Sequence, residues 1–259
     1  LKTKQESQIE EYQEINYKID QIFSEIKQLE EERLKEKLRA NEAQLQYYQL
    51  QTDPHFYLNC LNTISTLLQN EKKEVANDMI IALSGHFRYM FRKSRSLVLL
   101  KEELEEVQDY CRIYNIRNGI PLLVDMDVSK SEMLCKVPIL CIQTFVENAI
   151  KYYGKNGQML QVRIQIRRIK KEDKKEFLKI RITDNGVGYT KENLDEFNKP
   201  VDKFVYKSSH VGIDNLKYRF KLIFENEADI YFYNAPYSGA VVEMTIPVKE
   251  DDSDENINN

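Results

Sequence analysis

The first fifty residues of this chain contain neither glycine nor proline and are rich in Glu, Lys and Gln. Apolar positions recur there at alternating steps of three and four, which is the spacing of a coiled-coil seam. The seam positions are Tyr12, Ile15, Ile19, Ile22, Ile26 and Leu29. After residue 33 the alternation continues on a shifted phase, either as a tolerated irregularity or as a place where motion is transmitted. We expect residues 1–50 to form a long helix that pairs with a second copy, giving a homodimer.

Helical spacing continues after this segment. Apolar residues predict helices over 55–70 and 73–93, joined by a turn at residues 70–72. The two helices should form an antiparallel hairpin, and hairpins from two protomers would make a four-helix bundle. A further helix is predicted from Lys101 to about Asn118, ending at Gly119.

From Leu122 onward the apolar pattern changes to that of strands. Strands are predicted over residues 122–128, 161–169, 177–183, 230–233 and 241–246, and helices over 137–152 and 213–224. Antiparallel-looking strands mixed with helices indicate an α+β layered domain. The acidic residues 250–259 are predicted to be disordered.

Composition argues against several functions. A net charge of −4 gives no electrostatic case for nucleic acid. The four cysteines form no C-x-x-C pair, and with three histidines a zinc cluster is not expected. The cysteines read as small core residues in a reducing compartment. No apolar run approaches the ~20 residues that span a bilayer. We expect a cytoplasmic fragment of a longer protein.

A glycine-containing segment follows the strand that ends at residue 183. It reads Asp184-Asn185-Gly186-Val187-Gly188. Two alternate glycines let the backbone approach a flat or charged ligand closely, and the carboxylate at the strand end could accept a hydrogen bond from an amine. An ordinary tight turn would look the same, so both readings stay open from this pattern alone.

Two polar residues, Glu147 and Asn148, lie on a helix that is otherwise apolar. Such side chains are poorly tolerated there unless they are paired or open into a cleft. An asparagine oxygen suits a hard cation, and Lys151, one turn later, suits phosphate. The alternative is a hydrogen-bonded helix end near Gly154.

Two more segments could carry chemistry. Residues 208–216 form a small-residue loop that enters a helix, whose N–H groups suit an anion. His55 follows Pro54 on a helix face that continues into Leu58 and Leu61. A histidine there either packs its ring or is a nucleophile presented to a large partner.

In their order along the chain, these segments resemble the GHKL ATPase domain of sensor histidine kinases and, more narrowly, the LytS/YesM-like group. That group has an N-P-H-F-L-F-N-x-L-N acceptor motif, which residues 53–62 match. It also has an E-N-A-x-K-H-G box at residues 147–154, a D-N-G-x-G box at 184–188 and a G-L-x-N box at 212–215. The resemblance covers about residues 40–248.

This resemblance implies a coiled-coil signalling helix over 1–50 and dimerisation and phosphotransfer helices over 51–120. It implies a GHKL (Bergerat) α/β sandwich that binds ATP over 121–249. The implied activity is that of an ATP-dependent protein histidine kinase in a two-component system. The phosphate would pass to an aspartate in the receiver domain of a response regulator, and the full-length protein would lie in the bacterial cell membrane.

The resemblance also assigns roles. His55 would accept the phosphate, and Asn148 would coordinate Mg²⁺ between the ATP phosphates. From helical spacing, Asp53 or Asn59 could orient the His55 ring, and Asn59, one turn along the helix, is favoured. Asp184 would hold the adenine amine. The remaining predicted cofactor-binding residues are Glu147, Lys151, Tyr152, Gly186, Gly188, Gly212 and Asn215, with Gly212 as the hinge of the phosphate lid.

The chain departs from the group's pattern at several positions. Asp53 and Tyr57 replace Asn and Leu of the acceptor motif, and Gly212-Ile213 replaces Gly-Leu at the lid. The altered lid supports one alternative, a nucleotide-binding, non-phosphorylating dimeric signalling scaffold. A second alternative, an ATPase that only hydrolyses ATP, leaves the acceptor motif without a purpose. His86 is a rival acceptor.

Overall fold

The computed structural model describes residues 54–90, 96–119, 121–153, 159–171, 175–200, 211–225 and 227–248, together with 18, 21, 27–30, 32 and 33. The chain divides into two compact units, residues 1–49 and 50–259. The described residues of the first unit are helical. The rest of the predicted coiled coil and the acidic tail lie outside the described residues.

The second unit begins with a helical hairpin. Helix α1 spans Pro54–Gln69 and helix α2 spans Lys73–Met90, so the predicted hairpin is confirmed up to residue 90, beyond which the chain is not described. A small core lies between them, and Ile113 of a third helix also packs against it. Its buried members are Cys60, Ile64, Met79, Ala82, Leu83 and Ile113.

Helix α3 spans Leu100–Asn118 and ends as predicted at Gly119, whose φ of 65° is left-handed. Its residues join both the hairpin core and the larger core of the strand-rich region. The predicted division of the chain near residue 120 therefore stays a prediction.

Five strands form one sheet: Leu122–Asp127 (β2), Leu160–Lys170 (β4), Glu176–Asp184 (β5), Asp229–Asn234 (β6) and Ala240–Pro247 (β7). Their order across the sheet is β2-β4-β5-β7-β6. Each predicted strand is present, displaced at its ends by at most one residue. The prediction of antiparallel pairing is wrong for β2, which runs parallel to β4, because a helix between them carries the chain back across the sheet.

The register of the sheet separates an apolar face from a charged one. Val162, Ile164 and Ile166 of β4 are buried at alternate positions. On the other face Asp125 lies opposite Arg163, and their side chains form an exposed ion pair with an Nε–Oδ2 distance of 2.9 Å. Helices cover the apolar face: α4 (Gln143–Tyr152) and α6 (Val211–Phe224). The predicted α+β architecture is confirmed.

The helix predicted from residue 137 is wrong in its first part. Residues Lys136–Pro138 form strand β3, which pairs with β1 (Leu97–Leu99) in a segment where the pattern predicted no regular structure. Pro138 disfavours a helical conformation in the residue before it, and Leu140 has a φ of 60°. The helix therefore starts at Gln143.

Besides β1 and β3, two further short elements in the described ranges escaped prediction. One is a 3-10 turn over Glu132–Leu134. The other is α5 (Lys191–Phe197), whose N terminus is capped by Thr190: its Oγ1 accepts a hydrogen bond of 3.2 Å from the Asn193 N–H. Helix α5 lies beside the glycine-containing segment and helps to enclose the site.

Candidate functional site

A cavity of about 190 Å³ opens between α4, the end of β5 and α5. It is lined by Phe145, Asn148, Ala149, Tyr152, Tyr153, Ile182, Asp184, Gly186, Val187, Gly188, Tyr189, Thr190, Asn193, Phe197, Ile213, Ala240 and Val242. Its wall is mostly apolar or aromatic, with a few polar groups that converge, as in small-molecule sites. Of the predicted site residues, this cavity brings together Asn148, Tyr152, Asp184, Gly186 and Gly188.

Asp184 is the acidic group of this cavity. Its Oδ1 accepts hydrogen bonds from the N–H groups of Gly186, at 2.8 Å, and Ala240, at 3.1 Å. Burial raises the pKa of this carboxyl, and the two backbone donors partly offset that effect. One oxygen is thus held in place by the backbone. The second can face a ligand donor such as an amine.

Two glycines let the backbone close around Asp184 and the loop after it. Gly239 has a φ of 102°, and a Cβ there would lie 1.8 Å from the Asp184 carbonyl oxygen. Gly188 has a φ of 78°, and a Cβ there would lie 2.7 Å from Asn234 Oδ1. Larger residues would push these segments apart. The glycines therefore allow the turn before β7 and the glycine-containing segment to meet.

Asn234 at the end of β6 holds the glycine-containing segment from the other side. Its Oδ1 accepts from the Tyr189 N–H at 2.7 Å, and its Nδ2 donates to the Tyr189 carbonyl at 2.9 Å. Both backbone hydrogen-bonding groups of one residue are thereby fixed. The cavity wall at Tyr189 is consequently preformed rather than left to the ligand.

Asn148 is half-buried on α4 and faces the cavity. Its Nδ2 is buried and has no hydrogen-bond partner within the described part of the chain. Since a buried polar group without a partner is costly, this amide fits a role in contacting a ligand. Rotating the amide by a half-turn would present its oxygen, the atom that a hard cation takes.

The neighbours of Asn148 on α4 are placed differently. Glu147 is exposed, and its Oε1 accepts a 2.8 Å hydrogen bond from Gln143 Nε2. Lys151 is exposed, with its Nζ 5.3 Å from the centre of the Tyr152 ring. Neither lines the cavity, although both lie within a turn of residues that do. Gly154 lies outside the described residues.

The predicted lid box begins helix α6. Gly212 is exposed and Asn215 is buried, and neither lines the cavity, but Ile213 between them does. A Cβ at Gly212 would lie 3.7 Å from Thr144 Cγ2, an ordinary contact. The position therefore has room for a side chain. Residues 201–210, with His210, lie outside the described residues.

Within the described ranges, no group of three or more His, Cys, Asp or Glu side chains converges. Those ranges therefore contain no metal site made of such side chains alone. Mg²⁺ is often held by one or two protein oxygens together with substrate phosphates. Asn148, with its partnerless amide in the cavity, fits that mode of binding. The four cysteines are buried free thiols, in keeping with the prediction of core residues.

His55 is exposed near the start of α1. The residue after it anchors this part of the helix: the Phe56 ring stacks on Tyr110 with centroids 5.5 Å apart, and the Arg117 guanidinium carbon lies 5.4 Å from the Phe56 centroid. Asn59, one turn after His55, is also exposed. The imidazole is therefore presented to solvent from a helix that is fixed on its opposite side.

His86 has the opposite environment, with only 2% of its surface exposed. Its Nδ1 is hydrogen bonded to Glu106, and its Nε2 lies 3.4 Å from the Tyr57 hydroxyl oxygen. Both ring nitrogens are thus engaged in the core of the helical region. A large ligand can reach the exposed His55 ring and is kept from the buried His86 ring.

Sequence reasoning missed much of the cavity wall, including Phe145, Tyr153, Tyr189 and the residues of α5. Tyr189 had a usable signal, since it follows Gly188 directly. Burial raises the pKa of its phenol. The others carry no local mark, because apolar and aromatic residues in a core look the same in sequence as those in a pocket.

Comparison with known families agrees with this arrangement. Residues 43–122 match the family described as Histidine kinase, and residues 138–250 match the family described as Histidine kinase-, DNA gyrase B-, and HSP90-like ATPase. The chain therefore carries a histidine kinase domain and an ATPase domain of the GHKL type. The predicted resemblance to LytS-like sensors is confirmed by the relatives below.

Among curated relatives, Sensor protein LytS of Staphylococcus saprophyticus is 31% identical over 80% of this chain and 34% of its own length. An uncharacterized sensor-like histidine kinase of Staphylococcus epidermidis is 29% identical over 92% of this chain and 45% of its own length. The chain thus spans between a third and a half of these relatives. A solved structure of the mycobacterial sensor histidine kinase MprB covers 61% of the chain at 14% identity and a TM-score of 0.42. None of the helices in the described ranges is both long and apolar enough to cross a membrane.

Proposed function

We propose that this chain binds ATP in the cavity beside Asp184 and transfers the γ-phosphoryl group to His55. The phosphate then passes to an aspartate in the receiver domain of a response regulator. The observation that carries the proposal is the contrast between the exposed His55 and the buried, doubly engaged His86, in a chain that also holds a cavity lined by Asp184 and Asn148.

The ligand would be oriented by groups that already converge. The Asp184 carboxylate accepts a hydrogen bond from the adenine amine, and the backbone at Gly186 and Gly188 approaches the base. Asn148 would hold Mg²⁺, whose positive charge would offset the negative charge of the phosphates. Tyr152 contacts the nucleotide from α4.

The remaining cofactor-binding residues would act at the open end of the cavity. Glu147 and Lys151 lie beside Asn148 and Tyr152 on α4, and Lys151 would meet phosphate there. Gly212 and Asn215 begin the helix after the lid. Their roles follow from the family motif rather than from a contact with the cavity.

The acceptor chemistry needs only a neutral imidazole. A ring nitrogen of His55 attacks the γ-phosphorus, the bond from phosphorus to the bridging oxygen breaks, and ADP leaves with that oxygen. The second ring nitrogen then releases its proton to solvent. Asn59 lies one turn along the same helix and orients the ring.

Dimerisation would complete the helical bundle. The described part of the hairpin exposes an apolar stripe that includes Leu58 and Leu61, which are 56% and 57% exposed. A second hairpin would cover this stripe and form a four-helix bundle. The receiver domain then docks on the bundle near His55. We further propose that these residues lie in the cytoplasm, and that residues outside this chain hold the full-length protein at the bacterial membrane.

Incubation with γ-labelled ATP and Mg²⁺ tests the proposal. Wild type should acquire label that is labile in acid and stable in base, whereas His55→Gln and Asn148→Ala should acquire none. His86→Gln is the matched control, because it removes a buried histidine and should retain label while losing stability. Nucleotide binding without label in the wild type would favour the scaffold. Label that survives in His55→Gln would show that the acceptor is another residue.

A further inference from the structure

The N terminus of helix α4 is capped by a carboxylate from a different helix. Glu103 of α3 is fully buried. Its Oε1 accepts from the N–H groups of Ile142, at 2.9 Å, and Gln143, at 3.4 Å, while its Oε2 accepts from the Leu140 N–H at 2.7 Å. These are donors that a helix start leaves unsatisfied, and a negative charge there is favourable.

Helix α4 has no substitute for this cap. Ile142 occupies its N-cap position and provides no side-chain hydrogen bond, whereas Ser, Thr, Asp and Asn are the usual residues there. The turn that precedes it also contains Leu140 at a φ of 60°, a strained conformation for a residue with a side chain. A turn of this kind persists only where its surroundings hold it.

Two further buried groups hold the same turn. Arg219 of α6 donates from Nη2 to the Ile139 carbonyl at 2.6 Å. The Tyr89 hydroxyl of α2 donates to Glu103 Oε2. Glu103 thus joins α2 to the N terminus of α4. Arg219 joins the turn before α4 to helix α6.

We propose that Glu103 is a positioning residue for metal–nucleotide binding: by capping α4 it holds Asn148 at the orientation that the metal requires. Asn148 follows Gln143 by five residues on a helix of ten, so a tilt or fraying at the N terminus displaces it directly. Through Tyr89, the position of the hairpin helix reaches the same cap. This inference rests on the proposed nucleotide site.

The test compares the affinity for a non-hydrolysable ATP analogue with Mg²⁺ and with EDTA. The dissociation constant in EDTA divided by that with Mg²⁺ is the affinity ratio, and it measures how much the metal strengthens binding. Glu103→Gln should reduce this ratio at least about fivefold, the effect of losing a helix cap, with less than about a twofold change of affinity in EDTA. Combining Glu103→Gln with Asn148→Ala should reduce the ratio no further than Asn148→Ala alone, because both act at one contact.

Glu106→Gln is the matched control. Glu106 lies one turn after Glu103 on the same helix, is also buried, and pairs with His86 of the hairpin rather than with α4. It should lower stability and leave the ratio within about twofold of wild type. If Glu103→Gln acted only by destabilising the fold, Glu106→Gln would change the ratio by the same amount. That result would overturn the inference.

Tyr89→Phe provides a milder second variant that keeps the carboxylate. It should lower the ratio by about twofold, since one of four hydrogen bonds to the cap is lost, and should speed amide exchange at Leu140 and Ile142. An unchanged ratio in a folded Glu103→Gln protein, or in Tyr89→Phe if Glu103→Gln does not fold, would refute the positioning role. A wild type that binds no nucleotide would refute the proposed function itself.

Discussion

Replacing Gly239 by alanine should show how far the acidic end of the cavity depends on close approach of two backbones. A Cβ at this position would lie 1.8 Å from the Asp184 carbonyl oxygen and 2.8 Å from its carbonyl carbon. Neither atom belongs to a flexible side chain, so the turn before β7 must move away from β5. The Ala240 N–H, now 3.1 Å from Asp184 Oδ1, would move with it.

The expected loss of stability has two contributions. A left-handed φ costs an L-residue about 1–2 kcal/mol, and losing a hydrogen bond to a charged group costs about 1.5–3 kcal/mol. Gly239→Ala should therefore lower the free energy of unfolding by roughly 3–5 kcal/mol. Nucleotide affinity should fall about tenfold, since the Asp184 carboxylate loses one of the donors that fix it.

Gly119→Ala is the matched control. Gly119 also has a positive φ, 65°, but a Cβ there meets nothing within 4 Å. This variant should lose only about 1–2 kcal/mol and retain its affinity for nucleotide. Since the chain contains no tryptophan, urea unfolding is followed by far-ultraviolet circular dichroism. Equal losses in the two variants would refute the reasoning, because the close approach would then carry no cost of its own.

Three further outcomes are expected. Asn234→Ala removes both hydrogen bonds to Tyr189 and should cost about 1–3 kcal/mol in urea unfolding while weakening nucleotide binding; unchanged binding would contradict a preformed wall. Burial raises the pKa of the Asp184 carboxyl above its usual value of 3.8, so the folded state holds the carboxyl proton more tightly than the unfolded state does. The contribution of this carboxyl to stability therefore falls as pH rises from about 3.8 through the raised pKa. Asp184→Asn should thus show a weaker fall of stability over that pH window, and should lose nucleotide affinity at neutral pH. Leu61→Asp should shift sedimentation toward the monomer, and an unchanged dimer would place the interface elsewhere.

Regular elements of the strand-rich region could be predicted because their signal is local. Alternation of apolar and polar residues located β4 to within one residue at each end, as Leu160–Lys170 against a predicted 161–169. The prediction failed between residues 137 and 142, where an apolar run is equally compatible with a helix and with a buried strand. Pairing with Leu97–Leu99 decided the matter, and such a partner cannot be read from the run itself.

In the site too, local signals were readable from the sequence and long-range contacts were not. Asp184, Asn148, Gly186 and Gly188 were found because unusual residue types stood together at short spacing. The acceptor motif favoured His55 over His86, but the burial of the two rings was not readable from their neighbours, since both lie on helices with apolar spacing. His86 is buried by contacts with Glu106, 20 positions away, and Tyr57, 29 positions away.

By itself, the sequence determined the types of most regular elements, the chemical groups of the site and the family, because each depends on residues that are close along the chain. The tertiary structure alone decided which groups meet. Glu103 caps a turn that lies 37 positions later, and Asp184 is fixed by an N–H that lies 56 positions later. Such partners are selected by the packing of the whole core, where a buried carboxylate must find donors whatever their distance in sequence.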